Sequence, residues 1–216
     1  MSGVAGYFNI QAAPKGSLRS LEQMVWSLRH RCPDGFGFFQ DDRTGLGRAH
    51  LCTTEPEIGL QPLCNEDQTV WVAADGEIYN HTDLRSQLVQ KGHRFAGDSD
   101  MEVLVHLYEE KDVNFLSELN GQYAIALYDT RKQVLLLARD RMGICPLFYC
   151  CHGGSCYFAS EMKAVFAADL SVPCQINSQV LQDIFTFWSP VGADTIFTGV
   201  EQVQPGHFVE VSRQGI

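Results

Sequence analysis

The sequence predicts an α+β fold made of antiparallel sheets and a small number of helices. Runs typical of strands occur in consecutive pairs, and each pair is separated by a tip of turn-forming residues, at 41–43, 129–132 and 153–154. Segments with apolar residues three or four positions apart are few and lie between the strand pairs. The first strand begins almost at the first residue, which would carry the amino terminus into the core. Such grouping of strands and helices is typical of α+β domains.

The amino-terminal elements follow from apolar spacing and capping residues. Val4, Tyr7 and Phe8 lie among glycines and predict a buried strand. Ser17 is the predicted N-cap of the first helix, and a basic run suits the end of that helix. The predicted elements are a strand from residue 3, a helix from Ser17 to Arg31, a turn at 32–35, and strands at 36–40 and 45–51.

The remaining elements are predicted in the same way. Leu84 and Leu88 define one face of a helix, and polar residues at 98–100 cap the next one. The predicted elements are a loop at 61–63, a strand at 69–74 that runs straight into residues 75–80, helices at 80–90 and from 100, strands at 122–128 and 134–138, a hairpin of 147–150 with 156–159, and helices from 160 and at 177–188.

Length and composition indicate one large globular domain. The chain has 216 residues, of which 45% are hydrophobic and 19% charged. Its formal net charge of −10 excludes a nucleic-acid partner, because no basic stripe could neutralise phosphates. We find no apolar run that would span a membrane and no signal sequence. We therefore expect a cytoplasmic protein with no membrane partner.

The eight cysteines give no support to a metal site, because none forms a C-x-x-C pair. Cys150, Cys151, His152 and Cys156 lie close together in the sequence, but neighbours 150 and 151 must point to opposite faces of a hairpin. We expect the cysteines to be small buried hydrophobic residues, and we expect no metal in this chain.

Ser2 has two readings. One is the start of a strand, and the other is an N-terminal nucleophile whose own α-amine acts as base once Met1 is removed. The residues around Ser2 favour the simple strand, and the choice depends on motifs further along the chain.

Several motifs in order resemble one family. They are Gly3–Phe8, Arg29–Asp34, Gln61–Leu63, Gly76–Asn80, Ser99–Glu102, Phe115–Gly121, Ala124–Tyr128, Arg139–Gly143 with Pro146-Leu147, Ser160–Ala164 and Pro205–His207. Together they cover nearly the whole chain and resemble the glutaminase domain of class II (N-terminal nucleophile) glutamine amidotransferases, particularly the asparagine synthetase type.

The resemblance implies a four-layer αββα sandwich formed by the single domain 1–216. In that family, the thiol of residue 2 attacks the side-chain amide of glutamine, and ammonia passes to an ATP-using synthetase domain. Residues 188–216 resemble the run that leads into that domain, whose pyrophosphatase-type loop is absent from this sequence. We therefore expect no cofactor here, with ATP and magnesium only in a synthetase partner, either fused or separate.

Three departures from the family affect the chemistry. Ser2 replaces the nucleophilic cysteine, and a hydroxyl is a poorer nucleophile than a thiol at neutral pH. Asp75 replaces the asparagine whose amide, together with the backbone N–H of Gly76, would hold the oxyanion. His50 replaces the arginine that would bind the α-carboxylate of glutamine, and Arg48 on the same strand face is a candidate to compensate.

The other family positions either carry a substitution that does not affect the chemistry or are retained. Cys32 replaces a glycine in a turn, which affects structure only. Gly76, Asn80 and Asp100 are retained, and the family uses the position of Asp100 to bind the substrate α-amine. The residues that are expected to determine the fold thus match the family. The residues expected to act as nucleophile, oxyanion donor and carboxylate clamp do not.

Three functional readings follow. The preferred one is a degenerate glutaminase that serves an ATP-dependent amide-forming synthetase as a structural or regulatory partner. The second is an active amidotransferase that hydrolyses glutamine with Ser2 as nucleophile or as a substitute for cysteine. The third is a reassigned hydrolase with a triad of Ser2, His50 and Asp75.

The partner surface is predicted near the carboxyl terminus. Phe185, Phe187 and Trp188 are candidates for contact with the synthetase, although burial in the core is the more common fate of such residues. Whether the chain also forms a homo-oligomer is left open by the sequence.

Overall fold

The computed structural model describes residues 2–11, 16–31, 34–51 and 61–216. Met1, and Cys32 at the predicted turn, lie outside the described residues. The helices are α1 Leu18–Ser27, α2 His81–Gln90, α3 Val103–Lys111, α4 Met162–Ala168 and α5 Ser178–Phe187, with 3₁₀ segments at Arg29–Arg31, Asp100–Glu102 and Asp112–Glu118. The strands are β1 Gly3–Asn9, β2 Gly35–Gln40, β3 Thr44–His50, β4 Leu63–Cys64, β5 Val70–Ile78, β6 Gly121–Asp129, β7 Val134–Arg139, β8 Phe148–His152, β9 Ser155–Ala159, β10 Glu201–Gln202 and β11 Phe208–Val211.

The strands form two antiparallel sheets in the described part of the chain. The first has the order β10-β8-β9-β1-β3-β2, and the second has the order β11-β7-β6-β5-β4. The strand β1 is central in its sheet, with β3 on one side and β9 on the other, which agrees with the predicted buried strand at the amino terminus. The α+β fold class is therefore confirmed.

Three apolar clusters show that the sheets and helices form four layers. Val4 and Phe8 of β1 pack between the sheets against Ala126 and Leu137 of the second sheet. The alternate residues of β1, such as Tyr7, pack on the outer side with the helix pair α1 and α4. A third cluster joins the outer side of the second sheet to α2 and α3. The αββα arrangement follows directly from strand alternation.

The first helix confirms its predicted cap. Ser17 has extended backbone, and its hydroxyl accepts a hydrogen bond from the backbone N–H of Ser20 at 3.3 Å. Leu21, Met24 and Val25 are buried on the face that covers the first sheet. The basic run that follows does not continue the helix, because residues 29–31 form a separate 3₁₀ turn.

The tail joins both sheets. The two-residue strand β10 pairs with β8 at the edge of the first sheet. The strand β11 pairs with β7 at the edge of the second. Residues 201–211 therefore close one edge of each sheet.

The candidate partner residues are exposed, so the expectation of core burial for them was wrong. Phe185 is 78% exposed, Phe187 63% and Trp188 92%. Only Val180 of α5 is fully buried, so α5 contacts the domain near its first turn and leaves its aromatic end in solvent. No helix in the described residues combines the length and apolar character needed to cross a bilayer.

The cysteines follow the prediction only in part. Cys150 is buried and its neighbour Cys151 is exposed, as expected for adjacent positions in a hairpin. Cys145 and Cys156 are also buried, but Cys174 is exposed and Cys64 is partly exposed. Burial therefore does not hold for every cysteine that the structure describes.

Candidate active site

The site lies at one end of the space between the sheets, where strand alternation points several polar side chains inward. Ser2 precedes β1 and is nearly buried. On β5, Ala73 packs between the sheets, so Asp75 two residues later shares that face. Arg48 is paired with Val4 in the β1–β3 register and is also buried. The structure therefore brings Ser2 and Asp75 to one place, where Arg31 bonds to both.

The hydroxyl of Ser2 acts as an acceptor for two donors. Arg48 Nη2 donates to Ser2 Oγ at 3.2 Å, and the backbone N–H of Leu51 donates to the same atom at 3.1 Å. A serine oxygen has two lone pairs, and both are directed at donors here.

Asp75 forms a buried ion pair with Arg31. Arg31 Nη2 lies 3.2 Å from Asp75 Oδ2, and the side chain of Asp75 is only 3% exposed. The same guanidinium donates through Nε to the carbonyl oxygen of Ser2 at 2.8 Å and through Nη1 to Glu161 Oε1 at 3.2 Å. Arg31 thus connects Ser2 to Asp75 of β5 and to Glu161, the residue before α4.

Arg31 was not among the predicted site residues, although a signal for it exists. It lies within the motif at 29–34 that carries the family resemblance. A carboxylate on a strand between two sheets requires a cation or several donors. The basic residues of this motif are therefore the candidates for pairing with the carboxylate of Asp75.

The protonation of Asp75 depends on opposing influences. Burial raises the pKa of its carboxyl group, while the nearby guanidinium groups of Arg31 and Arg48 lower it, and the net direction is upward. Cys145 is buried close by, and burial together with the negative charge of Asp75 raises the pKa of its thiol to about 12. Cys145 therefore stays protonated at neutral pH and does not replace the missing thiol of residue 2.

His50 carries no positive charge that could bind a carboxylate at neutral pH. It is the last residue of β3 and pairs with Gly35 of β2. Burial and the nearby charge of Arg48 lower the pKa of its imidazole, and Asp34 opposes them only in part. Arg48 contacts the hydroxyl of Ser2, so the residue considered as a compensating clamp lies at the nucleophile instead.

The three residues of the suggested triad are not joined to one another. Ser2 Oγ bonds to Arg48 and Leu51, and Asp75 bonds to Arg31. Among the residues that the structure describes, neither Ser2 nor Asp75 forms a hydrogen bond with His50. The geometry of a serine, histidine and aspartate relay is therefore missing.

The retained residues Gly76, Asn80 and Asp100 stabilise the backbone at the end of β5. Gly76 has a φ of +122°, and a Cβ placed there would lie 2.0 Å from the carbonyl oxygen of Gln122, so only glycine fits. Asp100 Oδ2 accepts a hydrogen bond from the backbone N–H of Ile78 at 2.8 Å. Asn80 donates to the carbonyl of Glu118 and accepts from the N–H of Asn120. Roles of these three in substrate binding remain predictions.

Comparison with known proteins identifies the relatives of this chain. The profile of the family described as "glutamine amidotransferase domain" matches residues 1–216. Asparagine synthetase [glutamine-hydrolyzing] 1 of Bacillus subtilis is 37% identical over 210 residues, covering 95% of this chain and 33% of that protein. The asparagine synthetase of Zea mays is 42% identical over 164 residues, covering 75% of this chain and 27% of that protein. The chain thus spans about a third of the length of these relatives.

A solved structure supports the fold independently. The glutamine phosphoribosylpyrophosphate amidotransferase of B. subtilis superposes with a TM-score of 0.68. The match covers 99% of this chain and 48% of that one, at 22% sequence identity. At this identity, the likeness establishes the shared arrangement of sheets and helices.

Proposed function

Because this chain belongs to the glutamine amidotransferase domain family, of the asparagine synthetase type, we propose that it is a glutaminase domain that no longer hydrolyses glutamine. It instead serves as a structural or regulatory partner of an ATP-dependent amide-forming synthetase. The buried ion pair between Arg31 and Asp75 is the observation that carries this proposal.

Asp75 opposes the chemistry that the family fold would support. The resemblance requires an amide donor at this position, and a carboxylate paired with a guanidinium is an acceptor. Losing one oxyanion donor costs roughly 10²–10³ in rate. A like charge about 4 Å from the oxyanion adds about 4 kcal/mol at an effective dielectric of about 20, before the partial neutralisation by Arg31.

Ser2 adds a second obstacle. Its hydroxyl accepts hydrogen bonds from Arg48 and from the backbone of Leu51, which occupy the lone pairs that attack would need. His50 removes a third part of the machinery, because a neutral imidazole cannot make the bidentate contact that an arginine makes with a carboxylate.

The aromatic end of α5 supports the second half of the proposal. Phe185, Phe187 and Trp188 form an exposed apolar surface at the beginning of the run that resembles the approach to a synthetase domain. The relatives are about three times as long as this chain and are named asparagine synthetases, so a synthetase segment is the proposed occupant of this surface. ATP and magnesium would bind in that segment.

The first experiment measures glutaminase activity and intact mass on the purified chain. We expect no glutamate release above background, either from the unaltered chain or from Ser2→Cys. Turnover by the unaltered chain, together with a Ser2 acyl-enzyme in the mass spectrum, would instead establish the alternative of an active amidotransferase. The intact mass also shows whether Met1 is removed, which decides whether residue 2 carries a free α-amine.

The second experiment tests the partner surface. The chain is co-expressed with a separate synthetase segment of the asparagine synthetase type. The association of the two proteins is measured after purification. We expect Phe185→Ser with Trp188→Ser to weaken the association. Leu170→Ser is the matched control, because Leu170 is 97% exposed but lies outside α5. Equal association of all three proteins would contradict the assignment of this surface.

A further inference from the structure

Four side chains on the outer side of the second sheet converge on one point. Glu66 lies in the turn between β4 and β5, and His93 follows α2. His106 and Glu109 are three residues apart on α3, so they share a helix face. One ligand atom from each lies within 4.8 Å of the other three.

We propose that Glu66, His93, His106 and Glu109 bind a single divalent transition-metal ion, with zinc as the preferred ion. Imidazole nitrogen and carboxylate oxygen are ligands that zinc uses in tetrahedral sites. This proposal replaces the expectation of no metal, which was drawn from the pattern of cysteines.

The distances between the ligand atoms match a tetrahedron. Ligands about 2.0–2.1 Å from a tetrahedral ion are about 3.3–3.4 Å apart. His106 Nδ1 lies 3.3 Å from Glu66 Oε2 and 3.4 Å from Glu109 Oε2. His93 Nδ1 lies 3.8 Å from Glu109 Oε2, and its distance to Glu66, 3.7 Å, is measured to Oε1. All four ligand atoms lie within 4.8 Å of one another, so the widest pair must contract by no more than about 1.5 Å to reach tetrahedral spacing.

His106 gives the strongest reason to place an ion here. Its side chain is 1% exposed, and neither ring nitrogen has a hydrogen-bond partner among the described residues. A buried polar group without a partner costs free energy, so such groups are rare in native proteins. Nδ1 points at two carboxylate oxygens that are too poorly aligned for a hydrogen bond, and an ion among them would satisfy all three atoms.

Surrounding hydrogen bonds orient the ligands. The backbone N–H of Arg94 donates to Glu66 Oε1 at 2.7 Å, and Asn65 Nδ2 donates to Glu109 Oε1 at 2.8 Å. Each carboxylate therefore keeps Oε2 for the ion. His93 Nε2 lies 3.2 Å from Glu110 Oε1, and in the tautomer that donates this bond Nδ1 is left as a metal ligand. Such outer contacts are typical of metal-binding histidines and carboxylates.

Charge leads to the same conclusion. Two carboxylates and two neutral imidazoles carry a charge of −2, which a divalent cation balances. Glu66 and Glu109 are partly exposed, so an ion can enter from solvent. Since all four positions of the tetrahedron are filled by protein, the site is of the closed, structural kind. Its role is to hold the β4–β5 turn and the segment after α2 against α3.

The test uses the full chain, stripped with a chelator and then titrated with zinc against a chromophoric competitor. We expect one zinc per chain, and a tetrahedral visible spectrum when cobalt(II) is used as the probe. Glu66→Gln and Glu109→Gln should each weaken zinc binding by at least about tenfold, comparable to the loss of an outer contact. Both residues are partly exposed, so the variants should fold, which circular dichroism of the metal-free proteins checks.

A matched control distinguishes this site from the cysteine-rich hairpin that contains His152. His152→Gln alters the hairpin that carries Cys150 and Cys156, and it should leave zinc affinity unchanged. The proposal is overturned if the Glu66→Gln, Glu109→Gln double variant binds zinc as tightly as the unaltered chain. It is equally overturned if His152→Gln removes binding, if cobalt gives a six-coordinate spectrum, or if no binding is detected.

Discussion

Two polar clusters in this domain differ in how their buried atoms are satisfied. In the space between the sheets, Ser2 bonds to Arg48, and Asp75 bonds to Arg31. On the outer side of the second sheet, His106 and its neighbouring carboxylates face one another without a hydrogen bond between them. In the first cluster, Ser2 Oγ and Asp75 Oδ2 are paired with protein donors, whereas in the second the buried imidazole of His106 has no hydrogen bond to a described residue and the proposed cation would supply its partner.

Under the two proposals, this difference separates a site that no longer takes its substrate from one that is arranged to take an ion. A substrate pocket presents donors and acceptors that remain free until the substrate binds. Between the sheets, Ser2 and Asp75 are instead bonded to neighbouring protein groups, and the cost of burying Asp75 is offset in part by Arg31. In the outer cluster, the buried ring nitrogens of His106 have no hydrogen-bond partner among the described residues.

The largest effect should come from breaking the ion pair between the sheets. Arg31→Met leaves the carboxylate of Asp75 buried without its cation, and we expect a loss of about 3–5 kcal/mol in the free energy of unfolding. Chemical denaturation measures this loss, and Asp75→Asn in the same protein should recover a large part of it. Arg131→Met, which removes only an exposed pair with Asp67, should cost no more than about 1 kcal/mol. Strictly additive effects of the Arg31 and Asp75 substitutions would show that the pair is not coupled.

Restoring the family residues should convert the first cluster back into a substrate site. Ser2→Cys with Asp75→Asn should gain roughly 10²–10³ in kcat over Ser2→Cys alone, because a donor returns and a like charge disappears. Adding His50→Arg should act mainly on KM, since the α-carboxylate is held equally in the ground and transition states. Glutamate release at saturating and limiting glutamine measures both effects. Full rescue by Ser2→Cys alone would instead mean that Asp75 and His50 do not impair the site.

Removing the metal should affect the outer cluster only. At a free zinc concentration one hundred times the dissociation constant, bound zinc stabilises the fold by about 2.7 kcal/mol. For a domain of this size, that corresponds to roughly 5–10 °C in Tm. Thermal melting with and without a chelator measures the shift. The Glu66→Gln, Glu109→Gln double variant should show no chelator response, and a response equal to that of the unaltered chain would place the ion elsewhere.

A smaller effect should appear as a pH dependence of stability. Burial raises the pKa of Asp75 above the ordinary value of 3.8, with Arg31 and Arg48 opposing in part. The folded chain therefore holds this proton more tightly than the unfolded chain, so its stabilising contribution is present at low pH. It is lost as the pH rises from about 4 through the folded-state pKa, by about 1.4 kcal/mol for each tenfold difference in proton affinity. Asp75→Asn cannot titrate, so the Tm of the unaltered chain should fall relative to this variant as pH rises. A constant difference between them would contradict the raised pKa.

Local sequence patterns were sufficient for the longer helices and strands because each pattern has a direct physical cause, but the short strands β4, β10 and β11 were not predicted. Alternation in Val4–Phe8 fixed which face of β1 meets the second sheet. Ser17 was recognisable as an N-cap, and the turn at 153–154 explained why Cys150 is buried while Cys151 is exposed. Motif order then led to the four layers and to the meeting of Ser2 with Asp75.

The partners within each cluster could not be predicted in that way, because they come from segments far apart in the chain. Arg31 and Asp75 are separated by 44 positions, and no periodicity connects them. In the outer cluster, only His106 and Glu109 show a readable spacing, and Glu66 and His93 belong to two different turns. The exposure of Phe185 and Trp188 likewise depends on how α5 leaves the domain, which its apolar composition does not reveal.

The position of the last strands has a consequence for synthesis on the ribosome. The strand β1 emerges first, yet its partner β9 spans Ser155–Ala159, and the edge strands β10 and β11 follow only at 201–202 and 208–211. Pairing across such separations folds slowly, because long loops must close before contacts form. A nascent chain that stops short of Val211 leaves the backbone of β7 open at one edge, where strands of other chains can add. Folding of this domain therefore depends on its final residues, and protection of the growing chain must last until they appear.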